Sequence, residues 1–178
     1  MPDRNAPAAA RILPALLQVA GLVAANHVWT RLLAPLGPTI AAAPVFGGSG
    51  FGSVALLSVL EELVFRGVIQ GALRRRFGPG VAIGVSALLF AGWHGAPPAS
   101  VVALLLGLQL GAMRELHGLG LAIAAHVASN AVLAATAHSG IETAPSLAVG
   151  VGAVVVAGSA LAALVQTSRN RLRTRGGT

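Results

Sequence analysis

The segment LEELVFRGVIQGAL (Leu60 to Leu73) sets Glu61, Glu62 and Arg66 inside a run that is otherwise apolar. Two further segments carry polar groups at four-residue spacing: FAGWH, with Phe90 and His94, and HVASN, with His126 and Asn130. Four residues is close to one helical turn, so each pair lies on one helix face. The same spacing lets Glu62 and Arg66 form an ion pair. Glu61 sits about 100° around the helix from Glu62 and faces something else. A carboxylate without an ion partner, two imidazoles and a carboxamide are the groups needed to deprotonate water and hold a developing oxyanion. The alternative is a Glu62–Arg66 pair that only fixes helix packing, which leaves Glu61 unexplained. His27, His117 and His138 lie near the ends of apolar segments without such company, and are expected to be interfacial.

The elements that carry these groups follow from composition. The 178 residues are 55% hydrophobic and only 10% charged, with a mean hydropathy of +0.79. A soluble domain carries about 25% charged residues. So few charges, gathered in short clusters between long apolar stretches, predict an all-α polytopic membrane helix bundle of about six transmembrane helices. The spans expected are 12–30, 51–73, 81–96, 99–113, 119–137 and 145–166. At about 1.5 Å per residue the third and fourth are short for a hydrocarbon core about 30 Å thick. The prolines of GAPPAS (Gly95 to Ser100) stop a helix between them, so a tilted or re-entrant pair is expected. PLGPTIAAAPVFGGSG (Pro35 to Gly50) reads as a loop, and TSRNRLRTRGGT (Thr167 to Thr178) is a basic tail. There is no internal repeat.

Burying three ionisable groups in a span has a definite cost. The twelve Leu, Ile, Val and Phe residues between Phe51 and Leu73 favour insertion by roughly 4–7 kcal/mol in total. Glu61, Glu62 and Arg66 oppose it by roughly 8–10 kcal/mol. The charges must therefore face the bundle interior, paired or hydrated. Gly67 and Gly71, and Gly107 and Gly111, are small-xxx-small pairs that allow the close helix approach such an interior needs.

All twelve basic residues are arginine. Apart from intramembrane Arg66, they place Arg4, Arg11, Arg74, Arg75, Arg76, Arg114, Arg169, Arg171, Arg173 and Arg175 on one side of the six spans, and only Arg31 on the other. The positive-inside rule then puts both termini in the cytoplasm. Arg4 and Arg11, followed by an apolar run ending in Val23–Ala24–Ala25, also fit a signal peptide. Its removal leaves the other five orientations unchanged. The net charge of +7 is accounted for by topology, so nucleic acid is not an expected partner. The absence of cysteine excludes a disulfide framework and thiolate chemistry.

In these three motifs the sequence resembles the CAAX prenyl protease type 2 and bacteriocin-processing (CPBP) family of intramembrane proteases. Glu61-Glu62-Leu63-Val64-Phe65-Arg66-Gly67, then Phe90 to His94, then His126 to Asn130 match its paired-glutamate, Phe-x-x-x-His and His-x-x-x-Asn signatures in order. The match covers roughly residues 50–137. It implies a catalytic core over 51–137, which the apolar pattern flanks with an N-terminal helix and loop over 1–50 and a last helix with its basic tail over 138–178. It also implies that Glu61 activates the hydrolytic water with help from His94, and that His126 and Asn130 stabilise the oxyanion. Glu62, Arg66 and Phe90 would be supporting residues. A zinc enzyme would instead ligate the metal through Glu61, His94 and His126. No H-E-x-x-H helix is present, so metal-free, glutamate-type catalysis with no cofactor is favoured.

The sequence is short beside eukaryotic-type CAAX proteases, and no separate prenyl-binding domain is visible in it, so a prenylated protein is not the expected substrate. The resemblance therefore points to a membrane-associated protein or peptide as substrate and to the bacterial-type inner membrane as location. Two other functions compete. A non-catalytic immunity or scaffold protein of the same fold has no need of an unpaired Glu61. A proton-coupled carrier also uses intramembrane Glu and His, but two related halves are expected of it and the sequence shows none.

Overall fold

The computed structural model describes residues 8–37, 51–95 and 97–139, and no strand occurs among them. Helix α1 (Ala8–Leu33) ends in a 3-10 turn at Ala34–Leu36, where Pro35 stops the α-helix. Next comes one continuous helical rod made of α2 (Phe51–Glu62), a π-helical segment (Leu63–Ile69) and α3 (Gln70–Phe77). Helix α4 (Pro79–Trp93), α5 (Ala99–His117) and α6 (Leu119–Ser139) complete the described chain. Single glycines make the turns from α3 to α4 and from α5 to α6. Gly78 and Gly118 have φ of 82° and 94°, where any side chain would be strained. Each donates its N–H to a carbonyl four residues back, that of Arg74 or Arg114.

Five of the six expected spans thus correspond to helical segments, and the break expected at GAPPAS falls between α4 and α5. The sixth, 145–166, lies outside the described residues. Taken one at a time, only α5 among the described helices is long and apolar enough to cross a membrane, with 19 residues and a hydropathy of 1.4. Pro79–Trp93 and Leu119–Ala135 are shorter apolar helices.

Beside an apolar core, several polar and charged side chains are buried while many large apolar ones are exposed. Glu62, Arg66, Gln70, His126, Asn26 and Ser58 are buried, while Leu16, Leu56, Val68, Leu88 and Trp93 are exposed on the outer faces. Polar groups inside and large apolar groups outside are the pattern expected where lipid, not water, surrounds the helices. The centre is apolar only in part. Leu22, Phe65, Phe90, Leu106, Leu110 and Met113 pack together with small alanines from α5 and α6.

Close approach of α5 depends on the glycines picked out above. A Cβ at Gly107 would lie 3.2 Å from the backbone and side chain of Ala87 on α4, and one at Gly111 would lie 3.1 Å from Ile83 and from Gln70 Oε1. With no side chains there, the rod also reaches the α5 backbone. Arg66 Nη2 donates to the Gly107 carbonyl at 3.3 Å and Gln70 Nε2 to that of Gly111 at 3.0 Å.

The π-helical segment explains how one rod meets two neighbours along its length. Ser58, Glu62, Arg66 and Gln70 recur every four residues and bond in turn to Asn130, His126, Gly107 and Gly111. In an α-helix each four-residue step overshoots a full turn by about 40°, so three steps would swing the line by about 120°. The wider i→i+5 winding, seen where the Gln70 N–H meets the Phe65 carbonyl, takes up part of that swing. Ser86 of α4 donates to the same carbonyl at 2.8 Å and ties the segment to its neighbour.

Candidate active site

Glu62 and Arg66 form the ion pair that their spacing predicts. Arg66 Nη1 lies 2.8 Å from Glu62 Oε1, and both side chains are 0% exposed. The same Glu62 oxygen lies 3.0 Å from His126 Nδ1. An ionised carboxylate only accepts, so Nδ1 carries the hydrogen and donates it. That leaves His126 Nε2 turned to Glu61, whose Oε2 is 3.8 Å away. The gap is too long for a hydrogen bond. Glu61 has no other polar partner among the described residues, and its side chain is 10% exposed where Glu62 is closed off.

The neighbouring glutamates therefore occupy different environments although one peptide bond joins them. One rotation of about 100° along the helix sends Glu62 into the α2–α6 contact and leaves Glu61 at its margin. The sequence alone set His94 and His126 as partners for Glu61. The structure assigns the hydrogen bond of His126 to Glu62 instead, and Glu61 meets only the far side of that ring.

Phe90 is the hub of the remaining groups. It is fully buried, with the Arg66 guanidinium 4.2 Å from its ring centroid. The rings of His94, Phe65 and His126 lie 4.4, 5.2 and 5.8 Å from it. The arrangement lets an arginine sit in an apolar core by giving it an aromatic face as well as an anion. His94 lies just beyond the end of α4, not within it, and its Nδ1 is 2.8 Å from the Phe90 carbonyl. A carbonyl also only accepts, so Nδ1 donates and the Nε2 of neutral His94 is left as an acceptor. Phe90 thus links the His94 ring to that of His126, which stands beside Glu61.

Asn130 stands one turn beyond His126 on α6 and bonds to Ser58 of α2 at 2.8 Å. A third tie comes from α1, where Asn26 donates to Ser129 at 2.7 Å. Glu61, Glu62, Arg66, Phe90, His94 and His126 thus form one cluster, and Asn130 joins it through the shared faces of α2 and α6. Sequence reasoning missed Ser58, Gln70, Asn26 and Ser129. For the first two a signal was available, because they extend the Glu62–Arg66 spacing by one step in each direction.

His27 corrects an expectation. It is buried beside Asn26 and Thr30, because that part of α1 forms the wall against α5 and α6 and not a helix end. His117 is exposed and bonds to Gln18 at 2.8 Å. The side chain of His138 lies outside the described residues.

The zinc alternative requires Glu61, His94 and His126 around one ion. Among the described residues no three His, Cys, Asp or Glu side chains converge closely enough to hold a metal.

Over residues 45–132 the sequence matches the model of a family described as type II CAAX prenyl endopeptidase Rce1-like. The chain belongs to this family. The matched stretch contains all three motifs, from Glu61 to Asn130. The Rce1-like family is one of membrane proteases, so protease chemistry is established at the level of the family. No curated protein and no solved structure matches the chain.

Proposed function

We propose that this Rce1-like chain is an intramembrane endopeptidase that hydrolyses a peptide bond in a membrane-associated protein or peptide. The observation that carries the reading is the asymmetry of the two glutamates. Glu62 is enclosed and committed to Arg66 and His126, while Glu61 keeps its carboxylate uncommitted beside the far side of the His126 ring. A purely structural pair has no use for the second carboxylate.

In the proposed reaction Glu61 takes a proton from water, and His94 Nε2 accepts the other water hydrogen and orients the nucleophile. Hydroxide adds to the scissile carbonyl carbon, whose oxygen becomes an oxyanion. The Asn130 carboxamide, and His126 through Nε2 when that nitrogen carries a proton, donate to that oxygen. The proton held by Glu61 then passes to the amide nitrogen as the C–N bond breaks. Glu62 holds the ring of His126, Arg66 holds Glu62, and Phe90 separates His94 from His126. No step requires a metal.

The proposed location is the inner membrane of a bacterial-type cell, with both termini cytoplasmic. In support, Arg74 and Arg114, assigned to one side by the positive-inside rule, meet at one end of the bundle on Glu115. His94 stands at the opposite end of α4. The test is incubation of the purified protein with membrane extract from a deletion strain, followed by mapping of new peptide termini. Reproducible new termini are expected. A stable, folded protein that generates none would remove the proposal. Chelation and dialysis are expected to leave cleavage intact, and loss on chelation with rescue by zinc would move the chemistry to a metal.

A further inference from the structure

Ser58 lies outside the three motifs, one turn before Glu62, yet it is 1% exposed and fully engaged. Its hydroxyl donates to the Val54 carbonyl at 2.9 Å, the usual i−4 back-bond of a helical serine. With that hydrogen committed, its oxygen can only accept from Asn130, whose Nδ2 is 2.8 Å away. The bond therefore decides which way the carboxamide of Asn130 points. One N–H is held on Ser58, and the second N–H of the same planar group is directed elsewhere by geometry alone.

We infer that Ser58 is a positioning residue that orients the Asn130 amide for the oxyanion, and that Ser58 and Glu62 together set both α6 groups of the site. The two bonds form a ladder between antiparallel faces, Ser58 to Asn130 and Glu62 to His126, one turn apart on each helix. Each rung fixes a donor. Glu62 places the hydrogen on His126 Nδ1, and Ser58 forces the amino half of Asn130, not its oxygen, to face α2. Without the hydroxyl, the carboxamide is free to rotate by 180° and present an oxygen lone pair to the oxyanion, which repels it. Ser58 itself touches no reacting atom.

The inference rests on the proposed oxyanion role of Asn130, and the experiment separates the two. A synthetic peptide spanning the first terminus mapped in the membrane-extract assay serves as substrate for wild type, Ser58→Ala, Asn130→Ala and the double variant. Removing a single oxyanion donor lowers kcat by about 10²–10³-fold. Asn130→Ala is expected to do so, and Ser58→Ala to lower kcat about ten-fold with KM within two-fold of wild type. The double variant should be no slower than Asn130→Ala alone, because the effect of Ser58 passes through Asn130. Ser58→Thr, which keeps the hydroxyl, should retain most of the turnover and covers the case in which Ser58→Ala fails to fold. Wild-type kcat in folded Ser58→Ala, or a double variant whose loss is the product of the single losses, would overturn the inference and leave the protease reading standing. Wild-type turnover by Asn130→Ala would overturn the oxyanion role itself. A wild type that yields no terminus to build the peptide from removes both.

Discussion

Glu61 and Glu115 are both carboxylates beside arginine-bearing helices, and they sit in opposite kinds of site. Both oxygens of Glu115 are taken, Oε1 by Gln70 and Arg114 and Oε2 by Arg74 at 2.7 Å. The Arg74 side chain is 54% exposed, so this end of the bundle is a saturated, solvent-screened network. Around Glu61 the order is reversed. The charge that needs compensation, Arg66, is buried and served by Glu62 and Phe90, while Glu61 is left with a single 3.8 Å contact. A carboxylate that is fully bonded stabilises its surroundings and is a poor base. One that is desolvated but unbonded has lone pairs to spend on a proton. On the proposed reading the chemistry sits where the hydrogen-bond inventory is incomplete, not where the charges are most numerous.

The comparison can be broken in stages, beginning with the largest loss of stability. Glu62→Gln keeps the shape but strands Arg66 and frees His126, and breaking a buried pair costs about 3–5 kcal/mol. A large fall in melting temperature with lost cleavage is the expected outcome, read by thermal unfolding in detergent. Wild-type melting in an inactive Glu62→Gln variant would mean that the roles of the two glutamates are exchanged. Gly107→Ala comes next. Its new methyl group meets Ala87 at 3.2 Å and Arg66 Nη2 at 3.3 Å, and overpacking of this kind costs about 1–3 kcal/mol. The smallest effect belongs to Arg74→Ala, which removes an exposed ion pair worth about 0–1 kcal/mol. It should leave both melting and cleavage close to wild type. An Arg74→Ala effect as large as that of Glu62→Gln would erase the contrast between the two ends.

Much of this was legible in the sequence, for reasons that are physical. Apolar runs between arginine clusters marked all five described helical segments, because the hydrophobic pattern that predicts a span also determines which face is outward. The Glu62–Arg66 pair followed from spacing, since both residues belong to one helix. What failed to show were contacts that depend on how helices lie against each other. Glu62 and His126 are 64 residues apart, and nothing local states that His126 turns its Nδ1 to Glu62 and not to Glu61. The four-residue line from Ser58 through Glu62 and Arg66 to Gln70 crosses the π-helical turn at Leu63–Ile69, which has no local signature. Followed in both directions, it would have exposed Ser58 and Gln70. His27 lies near a span end in sequence, but the contact of α1 with α5 and α6 buries that face.

The most direct test of the central claim is cleavage by Glu61→Gln beside its melting curve. Glutamine keeps the size of the side chain and no hydrogen bond to Glu61 is lost, so melting should stay within a few degrees of wild type. Cleavage should disappear, because an amide cannot take the proton from water. A normally folded Glu61→Gln protein that still produces the mapped termini would contradict the account.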